Sequence, residues 1–464
     1  MNESTIILLG ASGDLAKRKL IPAIYGLIES GKLNYFLLIG AAKDDITSDQ
    51  MIDDALPFIK NPKKRIINRL KKYSSYQKLD FADKQGFNSL DSLVSEREKK
   101  FKMVGNRLAY CSFPASFFCE VTKSLAESGV IKSQEKEENP WNRIVYEKPF
   151  GHDLESAHHI NTCISECLYE HQVYRIDHYL TKELVSNIAL VRFTNCIFEP
   201  LWNNHYIDEV QIVLTEDICI EGRGDYYDKY GAVRDVMQNH MLELLALVAM
   251  ETPKWLTGEF IRYERAKVLK NVCAVDACFG QYDGYKGNFG VFKDSKTETF
   301  AMAYLRVNNP RWAGVPFYLK TGKCIDKKET VIYIKFKHIE CLLTKGCPID
   351  SNYLTIKITP DAGFSLSLNI KKPGSLYEVI PVDMEFSHEC LVEEKVADSY
   401  EVLLLEVIRG EQSVSVRFDE IEYAWNVIDE IKKLKIPLHS YKPGTFGPDE
   451  CNMFAKKHGM RWLS

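Results

Sequence analysis

Thr5-Ile6-Ile7-Leu8-Leu9-Gly10-Ala11-Ser12-Gly13-Asp14-Leu15 sets the architecture of this chain. Thr5 to Leu9 is a short apolar run that reads as a strand, and two glycines then turn the chain. Leu15, Leu20, Ala23, Ile24, Leu27 and Ile28 approximate one face of a helix, and Gly31 sits where that helix would stop. Strand, glycine turn and helix make a dinucleotide-binding opening. Glycines let backbone N–H groups approach a pyrophosphate, and the helix N-terminus favours its charge. Gly10, Ser12, Gly13, Asp14 and Leu15 are the candidate cofactor contacts. The spacing is G-x-x-G rather than G-x-G-x-x-G, and a purely structural turn has the same letters, so the surroundings must decide.

A second apolar strand, Tyr35 to Ile39, runs into Gly40-Ala41-Ala42-Lys43. An NAD-binding fold usually places a carboxylate near this point for the ribose 2′-hydroxyl. Lys43 would instead attract a 2′-phosphate, as would Lys17 or Arg18, although Asp44 and Asp45 follow at once. The reading favours NADP. Further on, Tyr76 to Phe81 and Arg107 to Phe113 read as strands, and Lys84 to Phe101 and Ser116 to Ser128 as helices. This alternation implies a doubly wound parallel sheet with helices on both faces, over residues 1–176. Arg143 to Gly151 is one more strand entering a charged turn, Glu147-Lys148-Pro149-Phe150-Gly151. A residue before proline is pushed toward extended geometry, so Lys148 could reach both a sugar hydroxyl and the cofactor. A surface turn closed by Pro149 and Gly151 is the other reading. Asp153 should cap a helix running to about Tyr169.

The totals exclude several classes. The 464 residues suffice for two large domains. Sixty Lys+Arg against 64 Asp+Glu, a formal charge of -4, make no broad basic footprint for nucleic acid or acidic membrane. The basic patches Lys60 to Lys72 and Glu96 to Lys102 contain balancing residues or lack stacking aromatics, and read as solvated helix faces. Thirteen scattered cysteines without C-x-x-C suggest neither a disulfide framework nor a metal site. No apolar run reaches membrane-helix length and the N-terminus lacks a signal-peptide pattern, so the expectation is a reduced, soluble, cytoplasmic protein.

Polar chemistry gathers at Arg175-Ile176-Asp177-His178-Tyr179-Leu180-Thr181-Lys182-Glu183, where a strand-like lead-in passes into a helix after Leu180. Asp177, acceptor-only when ionised, suits an imidazole from elsewhere, and His178 and Lys182 suit an anion. A charged loop before a surface helix is the alternative. The second domain, 177–464, then carries a helix with Leu184, Ile188 and Val191 on its core side, and a strand from Asp208 to Asp217. The helical run Val233 to Met250 is apolar on nearly every side in its second half. Asp235, Asn239 and Glu243 recur along it every four residues beside His240. Burying such groups unpartnered would cost about 1–3 kcal/mol each, so the stripe should face a polar cleft. Period-two stretches at 297–308, 315–321, 330–337, 352–358 and 364–370 imply a large, mainly antiparallel sheet, one face of which could meet a second subunit as a homodimer or homotetramer. Ile421, Trp425, Ile428 and Ile431 mark a late amphipathic helix.

The stretch 175–183 closely resembles the R-I-D-H-Y-L-G-K-E signature of glucose-6-phosphate dehydrogenases, departing only at Thr181. G-A-S-G-D-L-A at 10–16, E-K-P-F-G at 147–151, R-D-V-M-Q-N-H at 234–240, N-P-R-W-A-G-V-P-F at 309–317 and K-T-G-K at 320–323 match in order along nearly the whole chain. The resemblance implies oxidation of glucose 6-phosphate at C1 to the phosphogluconolactone with NADP, the first step of the oxidative pentose phosphate pathway. It implies His240 as general base and Asp177 as its orienting partner, and no metal. It implies phosphate binding by His178, Tyr179 and Lys182, and sugar binding by Lys148, Glu216, Asp235, Lys323 and Lys328. In the family the Lys-Pro bond matching 148–149 can be cis. Two departures stand out: Thr359 replaces a frequent Gln before Pro360, and Lys357 stands where an Arg would serve the second, structural NADP site of animal members, which is expected to be absent. The rival readings are another NAD(P)-linked sugar oxidoreductase centred on Lys148, and a catalytically silent sugar-phosphate or NADPH-binding regulator.

Overall fold

The computed structural model describes residues 3–177, 179–180, 183–339, 351–375, 378–387 and 398–463. Strands β1 (Glu3–Leu9), β2 (Tyr35–Ala42), β3 (Ser74–Lys78), β4 (Arg107–Cys111), β5 (Asn142–Glu147) and β6 (Val173–Ile176) alternate with helices. Then come β7 (Ile207–Thr215), β8 (Val272–Tyr282), β9 (Phe300–Val307) and β10 (Pro316–Gly322). They are followed by β11 (Glu329–Phe336), β12 (Tyr353–Thr359), β13 (Gly363–Lys371), β14 (Val379–Ser387), β15 (Ser415–Val416) and β16 (Leu438–Tyr441). The chain divides into two compact units, one of residues 1–182, 255–262 and 396–422, the other of 183–254, 263–395 and 423–464.

In the first unit the sheet order is β15-β6-β5-β4-β1-β2-β3. β1 to β6 run parallel and β15 joins antiparallel to β6. Helices cover both faces, so one strand must serve two cores. Ile6 and Leu8 pack in one cluster, Ile7 and Leu9 in the other. That is why β1 reads as an unbroken apolar run instead of alternating. The helix after the glycine turn opens with a π-helical stretch, Ala16–Leu20, and continues as the α-helix Ile21–Glu29. Asp153 caps its helix as expected, accepting from the Ser156 N–H at 2.8 Å, but that helix stops at Ser165 rather than near Tyr169.

Nothing in the hydrophobic period signalled that 396–422 returns to the first unit. Helix Ser399–Arg409 packs on helix Ile21–Glu29 through Leu403, Leu404 and Val407. Its last carbonyls would be left open at a buried helix end. The buried Arg143 guanidinium donates to the Val407 and Ile408 carbonyls at 2.7 and 2.9 Å and satisfies them.

The second unit is built on a sheet ordered β14-β13-β12-β11-β7-β10-β9-β8-β16. Most neighbours are antiparallel, but β10 pairs parallel with β7 and β16 with β8. The late helix, Phe418–Lys433, buries Ile421, Trp425, Ile428 and Ile431.

Two bridges correct the cysteine reading. Cys119 and Cys163 are disulfide-bonded with Cα atoms 5.6 Å apart, and Cys219 and Cys324 with Cα atoms 4.6 Å apart. The partners lie 44 and 105 residues apart in sequence, so spacing could not reveal them. Packing of helix Phe118–Ser128 on helix Leu154–Ser165 makes the first, and the segments leaving β7 and β10 make the second.

Candidate active site

In the first sheet β1 lies between β2 and β4, where successive connections depart to opposite sides. Ligands of open α/β sheets bind outside the strand ends at such a switch point. Gly10 occupies that end with φ +86°, and a Cβ there would run into the Ser112 carbonyl beyond β4. Only glycine meets both demands. The Gly10 N–H donates to the Ala41 carbonyl at 2.8 Å, the Gly13 N–H to the Gly10 carbonyl at 2.9 Å, and helix begins at Asp14 and Leu15. Ser12 lies inside this turn. The result is a backbone cradle at a helix N-terminus, which fits a dinucleotide pyrophosphate.

Lys43 follows β2, and its exposed ammonium lies 3.4 Å from the Asp80 carboxylate. The Ala82 N–H, then Lys43, hold Asp80 below the usual carboxylate range. Of the two acids after Lys43, Asp45 pairs with Lys78 at 3.2 Å, while Asp44 accepts from the Tyr76 hydroxyl through its backbone carbonyl at 2.7 Å. Burial, then Asp44 and Asp45, push Tyr76 up to about 12, so it stays a donor. Lys17 and Arg18 are committed to Asp54 at 2.7 Å and Asp14 at 2.5 Å. All three cations are paired with a carboxylate, and Lys43, at the end of β2, is the most exposed of them.

β5 and β6 are parallel neighbours with Glu147 opposite Ile176, so Lys148 and Asp177 leave the sheet side by side. The Lys148–Pro149 peptide is cis. Asp177 is buried; its Oδ1 accepts from the Tyr179 N–H at 2.8 Å and its carbonyl from the Leu180 N–H at 3.1 Å, closing a tight turn. His178 and Lys182, as well as Thr181, lie outside the described residues. Glu147 was not singled out by sequence. Burial pushes its carboxyl up, opposed by the Tyr110 and Tyr400 hydroxyls that donate to it and by Lys148. Arg175 turns inward instead, with both Glu170 oxygens at 2.9 Å from its Nη1.

The second unit holds the remaining candidates. β7 and β10 are parallel, with Thr215 opposite Gly322, so Glu216 and Lys323 emerge together and form a short ion pair. The Lys323 backbone is fixed by its N–H on the Thr299 carbonyl at 2.9 Å and by the Tyr441 hydroxyl on its own carbonyl at 2.7 Å. Lys328 is exposed farther along the same loop. The helical run carrying His240 is not one α-helix. Val233–Met241 is π-helical and Leu242–Ala249 α-helical. A π-helix bonds residue i to i+5, so Asp235 and His240, five apart, are drawn to one side of the turn, as regular α spacing would not do. His240 is buried at 4% exposure, Asp235 and Asn239 are half-buried, and the Asn239 side chain accepts from the His240 N–H at 2.7 Å. This stretch packs against β7 and β10.

Glu243 departs from the expected polar stripe. It is buried at 3% and lies 3.7 Å from the guanidinium of Arg265, itself 1% exposed. A buried carboxylate is kept by a buried cation rather than by a cleft. Of the two departures, Lys357 pairs with Glu385 at 3.6 Å, and Thr359 ends β12 before a cis proline. Tyr226 and Tyr227 went unremarked in the sequence. The Tyr226 hydroxyl donates to Asp235 Oδ1 at 3.1 Å, and Lys323 Nζ lies 5.2 Å from the Tyr227 ring centroid. Nine residues separate Tyr226 from Asp235, a spacing no single regular helix would bring together.

Comparison with known proteins covers the whole of this arrangement. Residues 7–187 match the glucose-6-phosphate dehydrogenase NAD binding domain and residues 189–463 the C-terminal domain of the same family. A cytoplasmic glucose-6-phosphate 1-dehydrogenase of Arabidopsis thaliana is 38% identical over 483 residues, covering 99% of this chain and 93% of its own length. That of Bacillus subtilis is 36% identical, covering 99% and 98%. A solved glucose-6-phosphate dehydrogenase in complex with its substrate glucose-6-phosphate superposes with a TM-score of 0.92 at 32% identity, over 100% of this chain and 99% of the other. The Mycobacterium avium enzyme gives 0.86 at 32%, with the same coverage. Fold, glycine cradle and likeness over the full length agree: the chain belongs to the glucose-6-phosphate dehydrogenase family.

Proposed function

We propose that the chain oxidises β-D-glucose 6-phosphate at C1 to 6-phospho-D-glucono-1,5-lactone with NADP+, and that His240 is the base for that step. The observation that carries the proposal is the π-helical turn that draws buried His240 and Asp235 to one side, against the strands bearing Glu216 and Lys323. A neutral imidazole near pH 7 can take the C1 hydroxyl proton as the C1–H bond breaks. Bound NADP+ supplies the acceptor for the departing hydride. Asp177 orients the imidazole and stabilises the imidazolium that forms. His178, Tyr179 and Lys182 hold the phosphate, whose charge-assisted bonds fix C1 from a distance. Lys148, Glu216, Asp235, Lys323 and Lys328 meet the sugar hydroxyls.

Gly10, Ser12, Gly13, Asp14 and Leu15 hold the pyrophosphate, Lys43 the 2′-phosphate, and Lys148 also approaches the nicotinamide side. The protein works as a homodimer or homotetramer through the face of the larger sheet, in the cytoplasm like its Arabidopsis relative. The test mixes purified protein with glucose 6-phosphate and either NADP or NAD and follows absorbance of the reduced cofactor. Turnover should favour NADP, and His240→Asn should lower kcat at least roughly 100-fold with a modest change in KM. Near-normal turnover in that variant would assign the base elsewhere.

A further inference from the structure

Helix Gly224–Ala232 contributes two tyrosines that touch the proposed sugar cradle from behind. Tyr226 is stacked on Tyr230, one helical turn later, with ring centroids 4.6 Å apart and planes 26° apart. That stack fixes its direction, and its hydroxyl donates to Asp235 Oδ1. Tyr226 is 37% exposed, and the burial of the rest of it, then Asp235, keep its hydroxyl protonated far above neutral pH, so it remains a donor. A carboxylate offers acceptor sites on both oxygens. With Oδ1 taken by Tyr226, the rotation of Asp235 is set and Oδ2 is the oxygen left for a sugar hydroxyl.

Tyr227 works differently. It is 3% exposed, and its hydroxyl has no hydrogen-bond partner among the described residues. A buried unpartnered hydroxyl is destabilising, so the hydroxyl is not what this residue contributes. Its ring is: Lys323 Nζ sits 5.2 Å from the centroid, within the range of cation–π attraction. The Lys323 ammonium therefore has Glu216 on one side and an aromatic face on another. An ammonium carries three donors on a flexible stem. Held by Glu216 and by the ring from two directions, the ammonium has its remaining donors aimed away from both.

We infer that Tyr226 and Tyr227 are positioning residues for the sugar: Tyr226 acts through its hydroxyl on Asp235, and Tyr227 through its ring on Lys323. This rests on the reading of Asp235 and Lys323 as sugar contacts. Neither tyrosine handles the proton or the cofactor, so both should act on glucose 6-phosphate affinity alone.

The experiment measures KM and kcat with glucose 6-phosphate and NADP, and calorimetric binding of glucose 6-phosphate without cofactor, for wild type, Tyr226→Phe, Tyr227→Phe and Tyr227→Leu. Circular dichroism melts establish that each variant is folded. Tyr226→Phe should raise KM and the calorimetric Kd about three- to tenfold, the loss of one hydrogen bond, with kcat and the KM for NADP unchanged. Tyr227→Phe should keep wild-type affinity and melt no lower, because the ring stays and only the unpartnered hydroxyl goes. Tyr227→Leu should weaken affinity several-fold. Unchanged affinity in Tyr226→Phe, or equal losses in Tyr227→Phe and Tyr227→Leu, overturns the inference. Wild type that binds the sugar phosphate without turnover would defeat the oxidation reading alone, since the calorimetric arm still reads the tyrosines. Wild type that does not bind it defeats both.

Discussion

Lys320 is a residue at odds with its surroundings. It is 1% exposed in β10, and burial pulls its pKa down to about 8, against the partial support of Glu329 and Asp326. Its ammonium lies 3.2 Å from the Phe446 ring centroid, within the range of cation–π attraction. The folded-state value is depressed relative to the ordinary 10.5, so across that window the unfolded chain binds more protons and stability rises with pH. Below about 8 the lysine is charged in both states and the full cost remains. Lys320→Met should therefore stabilise the protein at neutral pH by about 1–3 kcal/mol. That advantage should shrink as pH rises from about 8 to 10.5, as thermal melts at a series of pH values would record. A Met variant that melts lower at neutral pH would mean the ammonium is stabilising where it sits. Sequence shows Lys320 only as one letter of a K-T-G-K run; its burial depends on Phe446 and Trp462, more than a hundred residues later.

The element that matters most is the π-helical stretch Val233–Met241 and the bend that feeds it. Gly231 has φ +66° and ψ 178°, a region essentially reserved for glycine. A Cβ there would meet Glu298 Oε1 at 2.5 Å. Glu298 in turn accepts from the Val233 N–H at 3.1 Å, satisfying one of the donors that open the helix. Gly231→Ala should cost about 1–3 kcal/mol from the strained backbone alone and lower kcat by disturbing the register of Asp235 and His240. Chemical denaturation together with steady-state kinetics checks both. A variant with unchanged midpoint and kcat would show that the bend is not required. The apolar run from Met241 to Met250 announced a buried helix correctly. The switch from π to α winding did not show, because it depends on Glu298 and on packing against β7 and β10. The strand elements divide in the same way. β9 to β13 were read from their alternation, whereas edge strand β14 was not read, although Ile380, Val382, Met384 and Phe386 alternate along it; Met384 at 63% and Phe386 at 47% stay exposed.

Across the whole molecule, that same exposure bears on assembly. β13 and β14 are paired with Phe364 opposite Phe386 and Leu366 opposite Met384, so one side of this edge carries an apolar stripe. Exposed apolar patches at a sheet edge with no further strand among the described residues favour association. Replacing both Met384 and Phe386 with Lys should convert the proposed oligomer to monomers, read as a drop in mass by sedimentation. An unchanged mass would move the interface to another surface. The partition into two units, with 396–422 returning to the first, is a property of the whole chain in the same sense. Helix Ser399–Arg409 has an ordinary amphipathic pattern that fits any apolar surface, and the surface it chose is decided by Arg143 and helix Ile21–Glu29.

By itself the sequence determined the local devices. The strand–glycine–helix opening at 5–29, the alternation that makes a parallel sheet, the period-two strands β9 to β13 and the buried helix at 242–249 all follow from short-range periodicity and turn chemistry. The polar residues offered for catalysis were named by short motifs that resemble those of the family. Only the tertiary structure decided which of them meet. It joined Glu216 to Lys323 across parallel strands, set Tyr226 on Asp235, buried Glu243 against Arg265 and bridged Cys219 to Cys324. These contacts depend on strand order and helix winding, which arise from packing between segments far apart in the chain and leave no spacing to read.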